Sequence, residues 1–208
     1  VGTTFDNESL EMRLELLHQD VYDWRGGFSF HYKKSDFTAV GAEAFTPPSE
    51  SESMALAWIE ERHFGDVLIQ LGARIERTEI TAEKVRLPEV ELFSDHTEED
   101  GAHDEHDHSE HSAGYTRNFD VAHTFTPISL SSGLVWDFTD GYNIGLSLSH
   151  SQRAPSASEL LSFGPHIGTR SYEVGALFSL HDDHGESHFG LTDHDIVMET
   201  ATNIDLSL

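Results

Sequence analysis

The chain has no cysteine, which excludes a disulfide framework and any thiolate metal centre. An oxidising compartment is compatible with that absence. Positive charge is scarce: 12 Lys and Arg stand against 38 Asp and Glu, a formal net charge of −26. Nucleic acid and anionic lipid heads repel such a chain, and cations are drawn to it. The sequence contains no run of about 18 apolar residues, so no segment can cross a bilayer as a helix. It has no nucleophile elbow, phosphate loop, helical zinc-protease motif or EF-hand loop, so no enzyme activity is expected. No signal peptide is visible; the chain starts at Val1, in what reads as a loop leading into a strand, and is either mature or a piece of something larger.

What the chain does have is strict alternation. Tyr142, Ile144, Leu146 and Leu148 share one parity, and Asn143, Gly145, Ser147 and Ser149 the other. In a strand those two sets lie on opposite faces, one apolar and one polar. The same pattern recurs with Leu10, Met12, Leu14 and Leu16, with Phe28, Phe30 and Tyr32, with Met54, Leu56 and Trp58, and with Ile69, Leu71, Ala73 and Ile75. Ile128, Leu130, Leu134, Trp136 and Phe138 repeat it, as do Thr202, Ile204, Leu206 and Leu208. These segments predict about seven antiparallel strands, each near the length a tilted strand needs to span a bilayer.

The predicted connections alternate in length. Short ones fall at residues 20–23, 63–66 and 139–141, and long polar ones at 34–50, 79–115 and 151–195. Short turns on one side and long loops on the other is the asymmetry of an outer-membrane barrel. A soluble sandwich would also alternate, with its apolar face as a core. Two features favour the membrane. The polar face carries Arg, Glu, Ser and Asn throughout, which suits a wet lumen, and Trp24, Trp58, Trp136, Phe138 and Tyr142 sit near the short-turn ends, where a lipid–water interface would be. The expected fold is therefore all-β: an antiparallel transmembrane β-barrel wall forming part of a larger barrel, with short periplasmic turns and long extracellular loops.

Specific motifs lie in the last third. Arg153, Ala154 and Pro155 are followed by Glu159 and Leu160, and Glu199, Thr200, Asn203, Asp205 and Leu206 form a later strand. In these elements the chain resembles the barrel of TonB-dependent outer-membrane receptors, and in architecture the likeness spans residues 1–208. The Phe163-Gly164-Pro165-His166 element and the His/Asp-rich loop are similar to the zinc-receptor subgroup of that family. The resemblance implies a place in the outer membrane, an N-terminal plug inside a barrel larger than this chain, and an energy-coupling TonB partner. Neither the plug nor the partner-binding box is visible in the sequence, which reads as a central or C-proximal part of the barrel.

Residues 94–114 hold His96, His103, His106, His108 and His111 among carboxylates that include Asp104 and Asp107. Imidazole mixed with carboxylate suits zinc, nickel or copper, whereas carboxylate alone would favour calcium. The absence of fixed, sparse spacing points to loose, exchangeable binding, which suits capture. A solvated acidic loop with incidental histidines is the plain alternative. A second set with the same chemistry comprises His181, Asp182, Asp183, His184, Glu186, His188, Asp193 and His194, and His166 follows Gly164-Pro165 in a turn. His18, His31, His63, His123 and His150 read as ordinary lumen or interface residues. Arg153 and Glu159 are expected to brace the loop, and Arg13, Arg25, Arg74 and Arg77 to pair with Glu11, Glu15 and Glu76 across the wet wall.

The leading expectation is active uptake of a divalent metal, zinc foremost, as the transported ligand. A haem or ferric-siderophore receptor of the same family is the first alternative, since paired His can ligate haem iron. A soluble acidic metal-buffering β protein is the second. The expected partners are the lipid bilayer, the metal ion, the plug and TonB, with no nucleic acid.

Overall fold

A computed structural model of the chain describes residues 2–41, 44–87, 117–166, 170–183 and 186–208. Alternating segments become long strands: β1 (Thr4–Val21), β2 (Trp24–Val40), β3 (Ser49–Phe64), β4 (Val67–Leu87), β5 (Arg117–Phe125), β6 (Ile128–Thr139), β7 (Tyr142–Arg153) and β12 (Glu199–Ser207). Between β7 and β12 lie a one-turn helix α1 (Ala157–Leu161) and four short strands: β8 (Phe163–His166), β9 (Ser171–Val174), β10 (Phe178–Asp183) and β11 (Glu186–Leu191).

The long strands form one antiparallel sheet in the order β1-β2-β3-β4-β6-β7-β12, with β5 also on β4. β5 and β6 act as one wall strand broken at Pro127. β6 pairs with β4 over Val67 to Ile75 and β5 over Thr78 to Leu87. Proline has no N–H to give a ladder, but the Pro127 carbonyl still accepts from the Glu76 N–H at 3.0 Å. The wall thus has the seven strand positions expected from the alternation. Its outermost strands, β1 and β12, do not pair with each other, so the sheet is an open piece of barrel wall.

One end of the wall carries the tight turns. Tyr22 and Asp23 (φ 53° and 65°) turn β1 into β2, and Gly65 (φ 60°) and Gly141 (φ 81°) lie in the turns at the β3–β4 and β6–β7 junctions. Positive φ at such positions matches the twist of the flanking strands. The long connections leave from the other end.

Cross-strand register carries the apolar parity around the sheet. Leu16, Phe28, Trp58, Ala73 and Leu130 are successive partners from β1 to β6. This face is bare: Leu14 is 66% exposed and Leu206 74%. It therefore covers no core, which removes the soluble-sandwich alternative. On β1 the belt runs from Leu10 to Leu16 and on β6 from Ile128 to Phe138, about 20 Å and about 33 Å along the strand. A tilt of about 40° brings the β6 belt close to the ~25 Å apolar band of a membrane barrel. Trp136, Phe138 and Tyr142 form a chain of ring contacts beside the tight turns, with centroids 5.9 and 6.5 Å apart. They lie at the interface level expected for them.

The wall strands run further than the apolar alternation alone indicates. β2 continues to Val40 and β4 to Leu87, into stretches expected to be loop. The reason is an inversion of polarity. Above the belt the outward positions become Arg77, Glu79 and Thr81, while the inward Ile80 and Ala82 are buried. The segment expected as a long loop over residues 151–195 contains the last residues of β7 and all of α1, β8, β9, β10 and β11. The hydrophobic core lies there, inside the mouth of the wall. Ile80, Ala82, Val85, Val121 and Phe125 of the wall pack against Leu160, Leu161, Phe163, Leu177 and Phe178 of this cap.

Candidate functional site

The mouth is built by a strap that leaves β7 and folds back onto the inner wall. Pro155 follows the end of the β7 strand, and Ser156 caps α1: its hydroxyl accepts from the Glu159 N–H at 3.2 Å. The Glu159 carboxylate in turn accepts from the Ser156 N–H at 2.7 Å, completing a capping box. Leu160 and Leu161 are fully buried beneath the helix. Gly175 passes so close that an added Cβ would lie 2.5 Å from the Leu160 carbonyl oxygen. The strap is also tied to the β2–β3 connection: the Phe163 N–H donates to the Phe45 carbonyl at 2.7 Å, and the buried hydroxyls of Thr46 and Ser162 are 2.8 Å apart.

One guanidinium joins the two motifs that carry the family resemblance. Arg153 donates to both Glu159 oxygens, at 2.8 and 3.0 Å, and to Glu199 Oε2 at 3.0 and 2.5 Å. Its bond to the carboxylates holds the guanidinium more firmly protonated than usual. The Arg153 bonds, together with the Ser156 N–H, draw the Glu159 carboxyl down to about 2. These two residues brace the strap, as expected.

Between strap and inner wall lies an open groove of about 490 Å³, lined among others by His31, Lys33, Arg74, Glu76, Gln152 and Ser156. Below it the inner wall carries ion pairs, with some partners other than those expected. Arg13 takes Glu15 and Arg74 takes Glu76, but Glu11 takes His31 at 2.9 Å and Arg25 takes Glu61 at 2.9 Å. Arg77 belongs to the outer parity and pairs with Glu79 above the belt. Arg25 takes Glu61 because the register between β2 and β3 sets them opposite each other, which no local pattern in the sequence shows. His18 and His150 also lie on the outer parity. His150 Nδ1 is 3.0 Å from Thr202 Oγ1, its register partner on β12.

Of the expected metal ligands, His96, His103, Asp104, His106, Asp107, His108, His111 and His184 lie outside the described residues. His181 and His188 are direct partners across the β10–β11 hairpin. His181 Nε2 lies 2.9 Å from the Leu191 carbonyl and 3.0 Å from Ser179 Oγ. Because a carbonyl can only accept, Nε2 carries the proton in the neutral ring, and Nδ1 lies 3.9 Å from Asp193 Oδ2. A histidine that ligates a metal is commonly oriented in this way, by its other N–H on a carbonyl. Asp193, one of the expected carboxylates of this set, is thus the one beside His181, and it is followed by the exposed His194. His166 ends β8 opposite Ser171, away from this hairpin in the pairing scheme. Among the described residues, no three His, Asp or Glu side chains already stand together as a metal cluster. The family model described as TonB dependent receptor-like, beta-barrel, matches residues 2–208.

Proposed function

The chain belongs to the family of TonB-dependent-receptor-like β-barrels, and on that footing we propose that it takes up a divalent transition metal, zinc foremost, through histidine-rich segments at its outer mouth. The family is one of outer-membrane receptors and transporters for nutrients, not enzymes, and it works with a plug, with TonB and within a bilayer. The metal is the part that we add. We also propose that further strands pair the free edges of β1 and β12, since lipid leaves exposed backbone groups without partners.

The observation that carries the metal reading is the His181 arrangement. Its Nε2–H is held by a carbonyl, its Nδ1 faces a carboxylate, and a second histidine is its register partner. Two ligands about 2.0–2.1 Å from a tetrahedral zinc stand roughly 3.3 Å apart. The 3.9 Å gap between His181 Nδ1 and Asp193 closes to that with a small side-chain rotation. The five histidines of residues 96–111, set among carboxylates, supply a looser reservoir of the same ligands.

The test is zinc uptake by cells at low external zinc, with the receptor carrying alanine at His103, His106, His108 and His111 in one variant and at His181 and His188 in another. Both variants are expected to slow uptake, with surface expression unchanged. Normal uptake in both would remove the metal reading and leave the receptor family standing. A Soret shift on titrating the purified receptor with haem, without any response to zinc, would replace zinc by haem as cargo.

A further inference from the structure

A strip of charged side chains crosses the lipid-facing side of the wall just above the tight turns. His18, Gly26 and Glu60 are successive partners on β1, β2 and β3, on the parity of Leu16, Phe28 and Trp58. Gly26 leaves a notch: a Cβ there would lie 2.8 Å from the Glu60 carboxyl carbon. Across that notch His18 Nε2 reaches Glu60 Oε1 at 2.6 Å, and the Trp58 indole N–H donates to the same oxygen at 3.3 Å. Two residues further along β3, the Arg62 guanidinium lies 4.6 Å from the Phe64 ring centroid and 6.0 Å from that of Trp24. One of its terminal nitrogens donates to Asp23 at 3.2 Å.

Three buried atoms in this strip have no hydrogen-bond partner: Glu60 Oε2, Arg62 Nε and His18 Nδ1. Glu60 itself is only 8% exposed. A buried polar atom left unsatisfied costs about 1–3 kcal/mol, and hydrocarbon cannot satisfy it. Glu60 Oε2 calls for a donor and Arg62 Nε for an acceptor. The two residues are about 6.6 Å apart along one strand, among aromatic rings that suit an ammonium group at the interface.

We propose that this strip binds the phosphoethanolamine head of a phospholipid in the periplasmic leaflet. The primary ammonium donates to Glu60 Oε2, and the phosphate accepts from Arg62 Nε after a small opening of the side chains. A choline head has no N–H to give, and a glycerol head has no cation. The proposal rests on the membrane placement of the wall and is independent of the cargo.

The experiment offers the full-length receptor in detergent equal amounts of phosphatidylethanolamine, phosphatidylcholine and phosphatidylglycerol, and reads the retained lipid by native mass spectrometry. The ethanolamine lipid is expected to be retained about tenfold over the other two. Glu60→Gln is expected to abolish that preference, and Arg77→Gln, on the same face above the belt, to keep it. Equal retention of the three lipids, or a preference that survives Glu60→Gln, would overturn the proposal. If Glu60→Gln does not insert, Arg62→Gln decides instead: retention of the ethanolamine lipid is expected to fall with the loss of its phosphate contact, and unchanged retention would overturn the proposal. Equal binding of water-soluble glycerophosphoethanolamine would assign the site to a solute and overturn the lipid reading.

Discussion

Arg153 and Glu159 face each other through two side-by-side hydrogen bonds, from Nη1 to Oε2 at 2.8 Å and from Nη2 to Oε1 at 3.0 Å. The same guanidinium holds Glu199 at the start of β12. The end of one wall strand, the first turn of the strap and the start of the next wall strand are thereby joined at one point. A planar fork matched to two carboxylates gives directional bonds that a lysine would not.

The cap of α1 should control local opening of the strap. Ser156→Ala removes the side-chain acceptor for the Glu159 N–H, a loss of about 1 kcal/mol, or roughly a fivefold rise in the open population. Amide exchange over residues 157–163 should speed up by that factor while β3 and β4 stay unchanged. Equal acceleration in the wall would show that the strap does not open as a separate unit.

Acid should loosen the same contact. The Glu159 carboxyl is drawn from its ordinary 4.5 to about 2 by Arg153 and the Ser156 N–H. A depressed carboxyl contributes stability that is complete above pH 4.5 and is lost as the pH falls towards 2. Protease cleavage of the strap should rise across that window in the native receptor. Glu159→Gln should be cut faster at pH 6 and should show a flatter response to acid.

The mouth core depends on two leucines. Leu161→Ala empties a fully buried site and should cost about 2–5 kcal/mol of cap stability. Gly175→Ala drives a Cβ against the Leu160 carbonyl and should cost about 1–3 kcal/mol. In both variants thermal scans should show the cap melting early, with the heat-resistant barrel band on gels retained.

The two faces of the wall should answer differently to charge. Leu130→Arg places a cation on the bare apolar belt, which costs about 2–4 kcal/mol near the bilayer centre. Ser149→Arg places one on the opposite parity, towards the wet lumen. Refolding into phospholipid vesicles, followed by gel shift, should be impaired in the first variant and near normal in the second. Equal impairment would contradict the assignment of faces.

Much of the wall can be read from residue order. Ile144, Leu146 and Leu148 against Gly145, Ser147 and Ser149 are enough to assign a strand with a lipid side and a water side. Partnership is harder to read. Arg25 meets Glu61 and His18 meets Glu60 because register brings residues 36 and 42 positions apart side by side. No local pattern announces either contact. The upper reach of β4 was hidden for a different reason: above the bilayer the outer face turns polar and the inner face turns apolar, so the period persists while its phase reverses.

Alternation, charge and the absence of cysteine settle the strand class, the lipid-facing parity and the supply of imidazole and carboxylate ligands, because each depends on residue type and spacing of two. Folding in three dimensions settles the rest. It turns an apparent loop into a cap whose core fills the mouth, makes Arg153 the junction of two distant motifs, and sets His181 opposite His188 beside Asp193. Those relations depend on strand register and on backbone meeting backbone far along the chain, and neither is a property of any short stretch of sequence.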